Sequence, residues 1–263
     1  MSRTINSVHN ACRIIEQLQQ TDEGSVTELA EAVGLTPGTV HAYLASLCEE
    51  NYVVKTGNRY QLGPKLLTLG EHVRHHANIY RAGNEQVEKL AEETGESAHL
   101  IIEHNGQLLA LFERFGENAV GVEYHNRKRE RPLNHLHCTA AGKSILSELP
   151  ESEVRRIARE RGMPPNTDHT ITEVEELLSE LERVRNQGYA VADEEQMVGI
   201  RAVGAPVTFS DSEVAGAIAV SGPTTRLKEQ KFCETFPEKV IEAANICEVN
   251  MHIIRDEQLE TVS

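Results

Sequence analysis

The sequence predicts two domains, a winged helix-turn-helix at the N-terminus and a larger α+β domain with an antiparallel sheet. Two short capped helices are joined by a three-residue turn at Gly34, and a hairpin pattern follows them. Later strand-like runs occur as hairpins, with helical stretches grouped between them, which is typical of an α+β domain. The length of 263 residues is sufficient for two such domains.

The composition argues against membrane and secreted proteins. There is no run of about 18 uninterrupted apolar residues, and the first residues lack the apolar core and cleavage site of a signal peptide. Five cysteines, an odd number without CxxC spacing, favour a reduced chain over a disulfide scaffold. We therefore expect a cytoplasmic protein.

The charge is strongly negative and unevenly distributed. Asp and Glu total 41 against 26 Lys and Arg, which gives a net charge of −15. The first 65 residues hold five basic side chains and are close to neutral, so the two predicted domains have different partners. An acidic, lysine-poor chain suits a salt-rich cytoplasm, where screening removes self-repulsion, although an ordinary acidic protein remains the alternative.

Three helices are predicted in the first domain. The first carries the apolar stripe Val8, Ala11, Cys12, Ile15 and Leu18. Ser25 and Glu28 fit a capping box for the second helix, which ends at Gly34. Thr36 caps the third helix and Pro37 occupies its first turn. The third helix buries Val40, Leu44 and Leu47.

A hairpin after a helix-turn-helix predicts a wing. The β-prone runs 52–54 and 60–62 flank a turn at Gly57-Asn58. Small and hydroxyl side chains on the outer side of the third helix suit base edges in a major groove, and basic residues of the wing suit phosphates. The expected DNA-binding residues are Ser25, Thr36, Gly38, Thr39, His41, Ala42, Ala45, Lys55 and Arg59. The alternative is a three-helix bundle that binds a protein or nothing.

The second domain is predicted as hairpins with intervening helices. Residues 64–81 form one helix and 84–94 another, before a hairpin of 97–103 and 107–112 that turns at Asn105-Gly106. The later predicted elements are a strand-like run at 119–124, helices at 138–148, 151–161 and 170–187, strands at 189–192, 198–208 and 214–221 with a turn at 210–212, and a final helix at 237–255.

The chain resembles IclR-type transcriptional regulators. The resemblance rests on SVTELAEAVGLTPGTVHAYLASL, NYV and NRYQLGPKLLTLG in residues 8–65, and on LHCTAAGKSILSEL, GYAVADEEQMVGIRAVGAPV and VAGAIAVSGPTTRL further on. It implies a DNA-binding domain at 1–65, a linker and dimerisation helix at 66–83, a GAF-like effector-binding domain at 84–255 and a tail at 256–263. It also implies a homodimer or tetramer.

An effector pocket is expected where a helix begins near residue 139. Small residues at a helix N-terminus leave backbone N–H groups open to a carboxylate, although this signal alone is weak. The resemblance implies a pocket formed by Thr139, Ala140, Ala141, Gly142, Ala192, Glu195, Arg201, Ala202, Ala219 and Ser221. Three alanines among them argue against a pyruvate-like effector, and a larger or less polar metabolite fits equally well.

Other clusters are interpreted as structural. His135, His137 and Cys138 are close in sequence, but no second ligand cluster completes a tetrahedral metal site, so we expect no metal, no cofactor and no catalytic residue. The predicted function is a ligand-responsive regulator that binds a double-stranded DNA operator, controls a catabolic operon and has no membrane partner. Two rivals are an enzyme built on residues 85–255 and a protein-binding winged helix.

Overall fold

The computed structural model describes residues 4–121, 135–209, 213–228 and 231–262. The chain divides into two compact units, Met1–Arg74 and His75–Ser263. This division falls inside the segment predicted as the linker. No helix among the described residues is both long enough and apolar enough to cross a lipid bilayer.

Residues 4–62 form a winged helix-turn-helix, as predicted. Helices α1, α2 and α3 are followed by the strands β1 and β2, which pair antiparallel across Gly57 and Asn58. A bridge between Gly24 and Tyr60 joins the segment before α2 to the wing. The bounds are α1 Asn6–Thr21, α2 Val26–Val33, α3 Pro37–Glu49, β1 Val53–Thr56 and β2 Arg59–Leu62.

The buried face of α1 differs from the predicted stripe. Val8 is 58% exposed and Cys12 is exposed, whereas Ile14 and Leu18 are fully buried. The helix packs through its second half, where Ile14 and Leu18 lie one turn apart, and its first turn extends past the core. The rest of this core consists of Leu29, Ala30, Val33, Val40, Leu44, Leu47, Val53 and Tyr60.

The second unit is built on an antiparallel sheet, which confirms the predicted α+β class. Its described strands are β3 Ser97–His104, β4 Gln107–Phe115, β5 Ala190–Asp193, β6 Ile200–Phe209 and β7 Glu213–Pro223. They lie in the order β4-β3-β7-β6-β5, and every neighbouring pair is antiparallel. The helices are α4 Lys65–His76, which spans the division between the units, α5 Asn78–Thr94, α6 Ala140–Glu148, α7 Glu151–Arg161, α8 Val174–Gln187 and α9 Phe236–Val262.

Two helices are predicted at 64–81 and 84–94, and the break between them lies earlier than predicted. It falls at Ala77, whose ψ of 115° is extended rather than helical. The physical reason is packing, because Ile79 and Ala82 of α5 are buried against the sheet whereas no residue of α4 is buried within the described chain.

Three other expectations change. The helix predicted at 170–187 begins at Val174, because Thr170 uses its hydroxyl to bond the main-chain oxygen of Glu195 instead of continuing a helix. The final helix continues to Val262, although residues from 256 onward were predicted as a tail. Of the run 119–124, the described part 119–121 is not a strand; the rest, and the turn at 210–212, lie outside the described residues.

The two faces of the sheet carry different layers. Strand β6 directs Val203, Ala205 and Val207 into a core with α5 and α9, which also contains Val87, Leu90, Leu100, Ile218, Val240, Cys247 and Met251. Alternation places Ala202 and Gly204 on the opposite face, under α6. That layer contains Ile145, Leu146, Val154, Ile157, Leu177, Leu181, Ala217 and Ala219. The candidate effector residues belong mainly to this second face.

Candidate functional site

The turn between α2 and α3 is fixed by local hydrogen bonds. The Ser25 hydroxyl accepts from the Glu28 N–H, and the Glu28 carboxylate accepts from the Ser25 N–H at 2.8 Å, which completes the predicted capping box. Gly34 then adopts a left-handed φ of 67°, and the Thr36 hydroxyl accepts from the Thr39 N–H at 3.2 Å. Each helix end near the turn is satisfied locally, so the angle between α2 and α3 is defined.

The outward face of α3 is exposed and carries no cationic side chain. Burial of Val40, Leu44 and Leu47 orients the helix, so Gly38, Thr39, His41, Ala42 and Ala45 all face solvent together with the cap residue Thr36. The Thr36 and Thr39 hydroxyls are 2.8 Å apart. A surface of small and hydroxyl-bearing residues allows close approach and offers hydrogen bonds to base edges.

The wing arginine is paired with two carboxylates, a feature that sequence reasoning missed. Arg59 Nε lies 2.5 Å from Glu23 Oε1, without the alignment of a hydrogen bond, and Arg59 Nη2 lies 3.2 Å from Glu28 Oε2. Hydrogen bonds from Ser25, and then the Arg59 charge, hold the pKa of Glu28 below its usual value. The bridge between Gly24 and Tyr60 brings Glu23 beside the wing, which the sequence did not indicate.

The remaining basic side chains near the wing lie over aromatic rings. Lys55 Nζ is 5.5 Å from the centre of the Tyr60 ring, and Lys65 Nζ is 4.5 Å from that of Tyr52. Lys65 also lies 3.4 Å from Glu50. The basic groups of this unit are therefore largely engaged within the unit itself.

In the second unit, α6 begins directly on the sheet. A Cβ at Gly204 would lie 2.9 Å from the carbonyl carbon of Ala140, so only glycine permits this close approach. The Thr139 hydroxyl accepts from the Gly142 N–H at 2.9 Å, and Lys143 N–H donates the first intrahelical bond to Thr139 O. The N–H groups of Ala140 and Ala141 precede that bond and have no acceptor within the helix.

The predicted alanines form one surface beneath α6. Ala192 pairs with Ala202, which pairs with Ser221, so the three lie in one row across the sheet. Ala219 pairs with Gly204 in the adjacent row on the same face. The sheet therefore contributes a methyl-lined floor with one hydroxyl.

A buried histidine bridges the strands beside this floor. His99 Nδ1 is 2.8 Å from Glu113 Oε1, and His99 Nε2 is 2.9 Å from Ser221 Oγ. His99 and Glu113 were missed by sequence reasoning. The available signal was a polar residue at a buried position of an otherwise apolar strand, but its partners lie 14 and 122 residues away.

A buried lysine lies one turn inside α6, and sequence reasoning missed it too. Lys143 is 1% exposed, and its Nζ donates to Glu195 Oε1 at 2.6 Å and to Glu180 Oε1 at 3.0 Å. Glu195 Oε2 is buried and has no hydrogen-bond partner among the described residues. Loss of hydration raises the pKa of Glu195, while Lys143 opposes that change.

Arg201 lies on the other face of the sheet, which corrects its predicted place in the pocket. Its guanidinium binds both oxygens of Asp193 at 2.6 and 3.0 Å, donates to Leu227 O at 2.9 Å and lies over the Phe232 ring. Adjacent strand residues point to opposite faces, so Arg201 cannot share the face of Ala202.

His137 and Cys138, just before α6, have protein partners, whereas the buried Nδ1 of His135 has no hydrogen-bond partner among the described residues. His137 Nε2 is 3.3 Å from Pro164 O, and Asn166 donates to Cys138 Sγ at 3.1 Å. Within the parts of the chain that the structure describes, no three His, Cys, Asp or Glu side chains are grouped to hold a metal ion.

Comparison with known proteins shows the same two parts. The family model "IclR helix-turn-helix domain" matches residues 7–57, and "Bacterial transcriptional regulator IclR C-terminal" matches residues 71–248. The chain is 40% identical to the "Probable HTH-type transcriptional regulator ArcR" of Halobacterium salinarum, over 95% of each chain. It is similar to the crystal structure of the Thermotoga maritima IclR, with a TM-score of 0.72 and 27% identity over 94% of this chain and 99% of that one. A Microbacterium hydrocarbonoxydans IclR homolog complexed with 4-hydroxybenzoate shares the fold, with a TM-score of 0.78 and 16% identity over 92% and 99% of the two chains.

Proposed function

The chain belongs to the IclR family of transcriptional regulators, and from this we propose that it controls a catabolic operon in response to a small metabolite. It is a DNA-binding regulator and not an enzyme, since its relatives are named as transcriptional regulators. Because its target is DNA, its proposed place of action is the cytoplasm. The Halobacterium relative supports the proposal that this cytoplasm is rich in salt.

The proposal that this chain binds DNA rests on the exposed face of α3. Its cap and its buried stripe fix how α3 is presented, and Thr39, His41, Ala42 and Ala45 then contact base edges in a major groove. Gly38 allows close backbone approach, while Ser25 and Thr36 at the helix starts, with Lys55 and Arg59 of the wing, contact phosphates.

The exposed apolar side chains of helix α4 support the proposal that the chain forms a homodimer. Leu67, Leu69 and Val73 are large apolar side chains that face solvent on this helix. Pairing two copies through α4 would cover them and present two α3 helices to a pseudo-palindromic operator. A tetramer built from two such dimers is the other form compatible with this proposal.

The effector site is proposed at the start of α6, above the GAF-like sheet. It consists of Thr139, Ala140, Ala141, Gly142, Ala192, Glu195, Ala202, Ala219 and Ser221. The methyl-lined floor supports an effector with an apolar body, and the ligand of the Microbacterium homolog is a molecule of this kind. Binding there changes DNA affinity by coupling two distinct sites.

Fluorescence anisotropy of the full-length chain with DNA from upstream of its own gene tests this proposal. We expect saturable binding that unlabelled copies of the same DNA compete away and scrambled DNA of equal length does not. The double variant Thr39→Ala/His41→Ala should lose at least tenfold in affinity for this DNA while keeping its melting temperature. Equal binding of the natural and scrambled DNA would contradict an operator-specific regulator.

A further inference from the structure

A serine, a histidine and a glutamate are linked by hydrogen bonds on one face of the sheet. His99 Nε2 is 2.9 Å from Ser221 Oγ, and His99 Nδ1 is 2.8 Å from Glu113 Oε1. The three residues come from the neighbouring strands β7, β3 and β4. Each ring nitrogen of the histidine thus contacts one of the other two side chains, which is the connection that activates a serine as a nucleophile.

Strand pairing brings the serine and the histidine together. His99 lies opposite Ala219 of β7, two residues before Ser221, so the two side chains are diagonal neighbours. Leu100 and Val220, which adjoin them in the chain, belong to the core with α5 and α9. Because side chains alternate along a strand, His99 and Ser221 both point to the opposite face of the sheet, beneath α6.

The glutamate determines which nitrogen of His99 carries the proton. A carboxylate only accepts hydrogen bonds, so Nδ1, which faces Glu113, is the donor. In the neutral ring, Nε2 is then an acceptor, and it receives the hydrogen bond of the Ser221 hydroxyl. His99 is therefore placed to take up the serine proton, and Glu113 is a positioning residue that orients the ring.

Exposure to solvent distinguishes the serine from its two partners. The side chains of His99 and Glu113 are 9% and 6% exposed, whereas Ser221 is only partly buried. Other serines of this unit have a different environment, because the buried Ser144 and Ser147 donate to main-chain oxygens. A carbonyl oxygen does not take up a proton as an imidazole nitrogen does, so Ser221 has a base that these serines lack.

The surroundings of Ser221 favour a small apolar group. Ala202 lies opposite Ser221 on β6, Ala192 lies beyond it on β5, and Ala219 is two residues earlier on the same strand and face. Methyl groups offer no hydrogen bonds, so a charged or heavily hydroxylated group would lose hydration without compensation. A short hydrocarbon chain attached to Ser221 would instead lie against apolar surface.

We propose that Ser221 is a modification site that accepts the acyl group of an activated carboxylic ester with a short apolar acyl chain. Ser221 Oγ attacks the carbonyl carbon while its proton passes to His99 Nε2. The new Oγ–C bond forms, the bond from that carbon to the leaving oxygen breaks, and His99 returns the proton to the departing alcohol. With no backbone N–H assigned to the oxyanion, we expect a single slow transfer per chain rather than turnover. This reaction goes beyond the proposed control of an operon and does not require DNA binding.

Acetylation of the full-length chain by 4-nitrophenyl acetate tests the proposal. Mass spectrometry of the digested chain locates the acetyl groups and measures the rate at each position. We expect Ser221 to be acetylated about tenfold or more faster than any other serine or threonine, because His99 takes up its proton. The same chain unfolded in urea should lose this preference, since the three residues separate. This comparison requires no variant.

Matched variants assign the reactivity to the three linked residues. His99→Gln should slow the acetylation of Ser221 about a hundredfold, because the base is lost. Glu113→Gln should slow it about tenfold or more, because an amide can donate to Nδ1 and no longer selects one tautomer. Ser179→Ala changes an exposed serine of α8 that donates to a main-chain oxygen, so it should leave the rate at Ser221 unchanged. Melting temperatures verify that the variants are folded.

The outcomes separate this inference from the proposed function. Equal rates at Ser221 and at the other hydroxyl groups of the folded chain overturn the proposal, as does an unchanged rate in a folded His99→Gln variant. If that variant does not fold, the comparison of the unaltered chain with and without urea decides. Operator binding by the same preparation is measured separately, so a chain that binds its operator but is not acetylated at Ser221 refutes this inference alone.

Discussion

At the scale of single residues, the chain uses ion pairs in two different environments. Arg59 forms a partly exposed pair with Glu23 at the surface where DNA is proposed to bind. Lys143 is paired with Glu180 and Glu195 in the interior, where water does not screen the charges. An exposed pair contributes little to stability, whereas removing one partner of a buried pair is strongly unfavourable.

The Glu23→Gln substitution should strengthen DNA binding. It releases Arg59 from one carboxylate and removes a negative charge near the phosphates, so the dissociation constant for operator DNA should fall about two- to fivefold. Glu31→Gln is the matched control, because Glu31 is exposed on α2 and its loss changes the net charge equally. Fluorescence anisotropy at constant salt measures both. Identical effects of the two variants would mean that the pair with Arg59 has no influence.

The Lys143→Met substitution should destabilise the fold. It leaves two carboxylates buried without their shared ammonium group, which costs about 3–5 kcal/mol in the free energy of unfolding. Lys239→Met is the control, since Lys239 pairs with Glu93 in a partly exposed position and should cost less than about 1 kcal/mol. Urea denaturation followed by circular dichroism measures both values. A similar loss in the two variants would contradict a special role for the buried network.

At the scale of elements, helix positions are determined by caps and by close backbone contacts. Ser25 and Thr36 start α2 and α3, and Gly34 ends α2. In the second unit, Gly204 allows the first turn of α6 to lie on the sheet. The caps can be identified from neighbouring residues, whereas the role of Gly204 depends on a helix more than 50 residues earlier in the chain.

The Gly204→Ala substitution should displace α6 and lower stability by about 1–3 kcal/mol, because the new methyl group meets backbone atoms that cannot move independently. Gly38→Ala is the control within α3, where an added methyl contacts nothing within 4 Å. That change should raise stability by about 0.5–1 kcal/mol through helix propensity. Thermal and urea unfolding measure both, and a neutral Gly204→Ala variant would show that α6 does not depend on this approach.

At the scale of the whole molecule, net charge bears on DNA binding, and exposed apolar surface bears on the proposed association of two chains. The chain carries a net charge of −15, and in its DNA-binding unit Lys55, Arg59 and Lys65 are engaged with carboxylates or aromatic rings. Helix α4 carries exposed leucine and valine side chains. The first feature bears on the salt dependence of DNA binding, and the second is the contact proposed for a dimer.

DNA affinity should fall less steeply with rising salt concentration than the affinity of a strongly basic repressor. Each neutralised phosphate contributes a slope of about −0.9 to the plot of log affinity against log salt, so two or three contacts in each protomer of the proposed dimer give about −4 to −5. Base contacts and DNA shape must then select the site. Anisotropy titrations over a tenfold range of KCl measure the slope, and a value near −10 would contradict this prediction.

The Leu67→Glu/Val73→Glu double variant should dissociate the proposed dimer. Charges on these two exposed positions of α4 would be buried without partners at the dimer contact. Light scattering coupled to gel filtration measures the mass, which should fall to that of one chain. Val249→Glu, at an exposed apolar position of α9, should leave the dimer intact. An unchanged mass in the double variant would place the dimer contact elsewhere.

Much of the DNA-binding unit could be predicted because its determinants are local. The capping box of Ser25 and Glu28, the left-handed Gly34 and the turn at Gly57 each act within a few residues. The exposed face of α3 follows from the helical period once Val40, Leu44 and Leu47 are buried. The predicted buried stripe of α1 was partly wrong, because the residues of α1 that become buried depend on how far the other helices extend along this helix.

The candidate effector site was only partly predictable, since its polar members are distant in sequence. The alanines and Ser221 of the floor were identified through the family resemblance, but Arg201 was assigned to the wrong face. Lys143 pairs with residues 37 and 52 positions away, and His99 bonds Ser221 across 122 positions. No periodicity reveals such pairs.

The sequence by itself determined the order and type of most elements, the caps, the turn residues and the charge of each half. The tertiary structure alone decided the strand order, the face on which each polar side chain lies and the partners of Lys143, His99 and Arg59. The physical reason is the separation in sequence between the groups that interact. Caps and turns are satisfied by hydrogen bonds between near neighbours, whereas buried charges are satisfied by groups that meet only when the sheet and its helices have assembled.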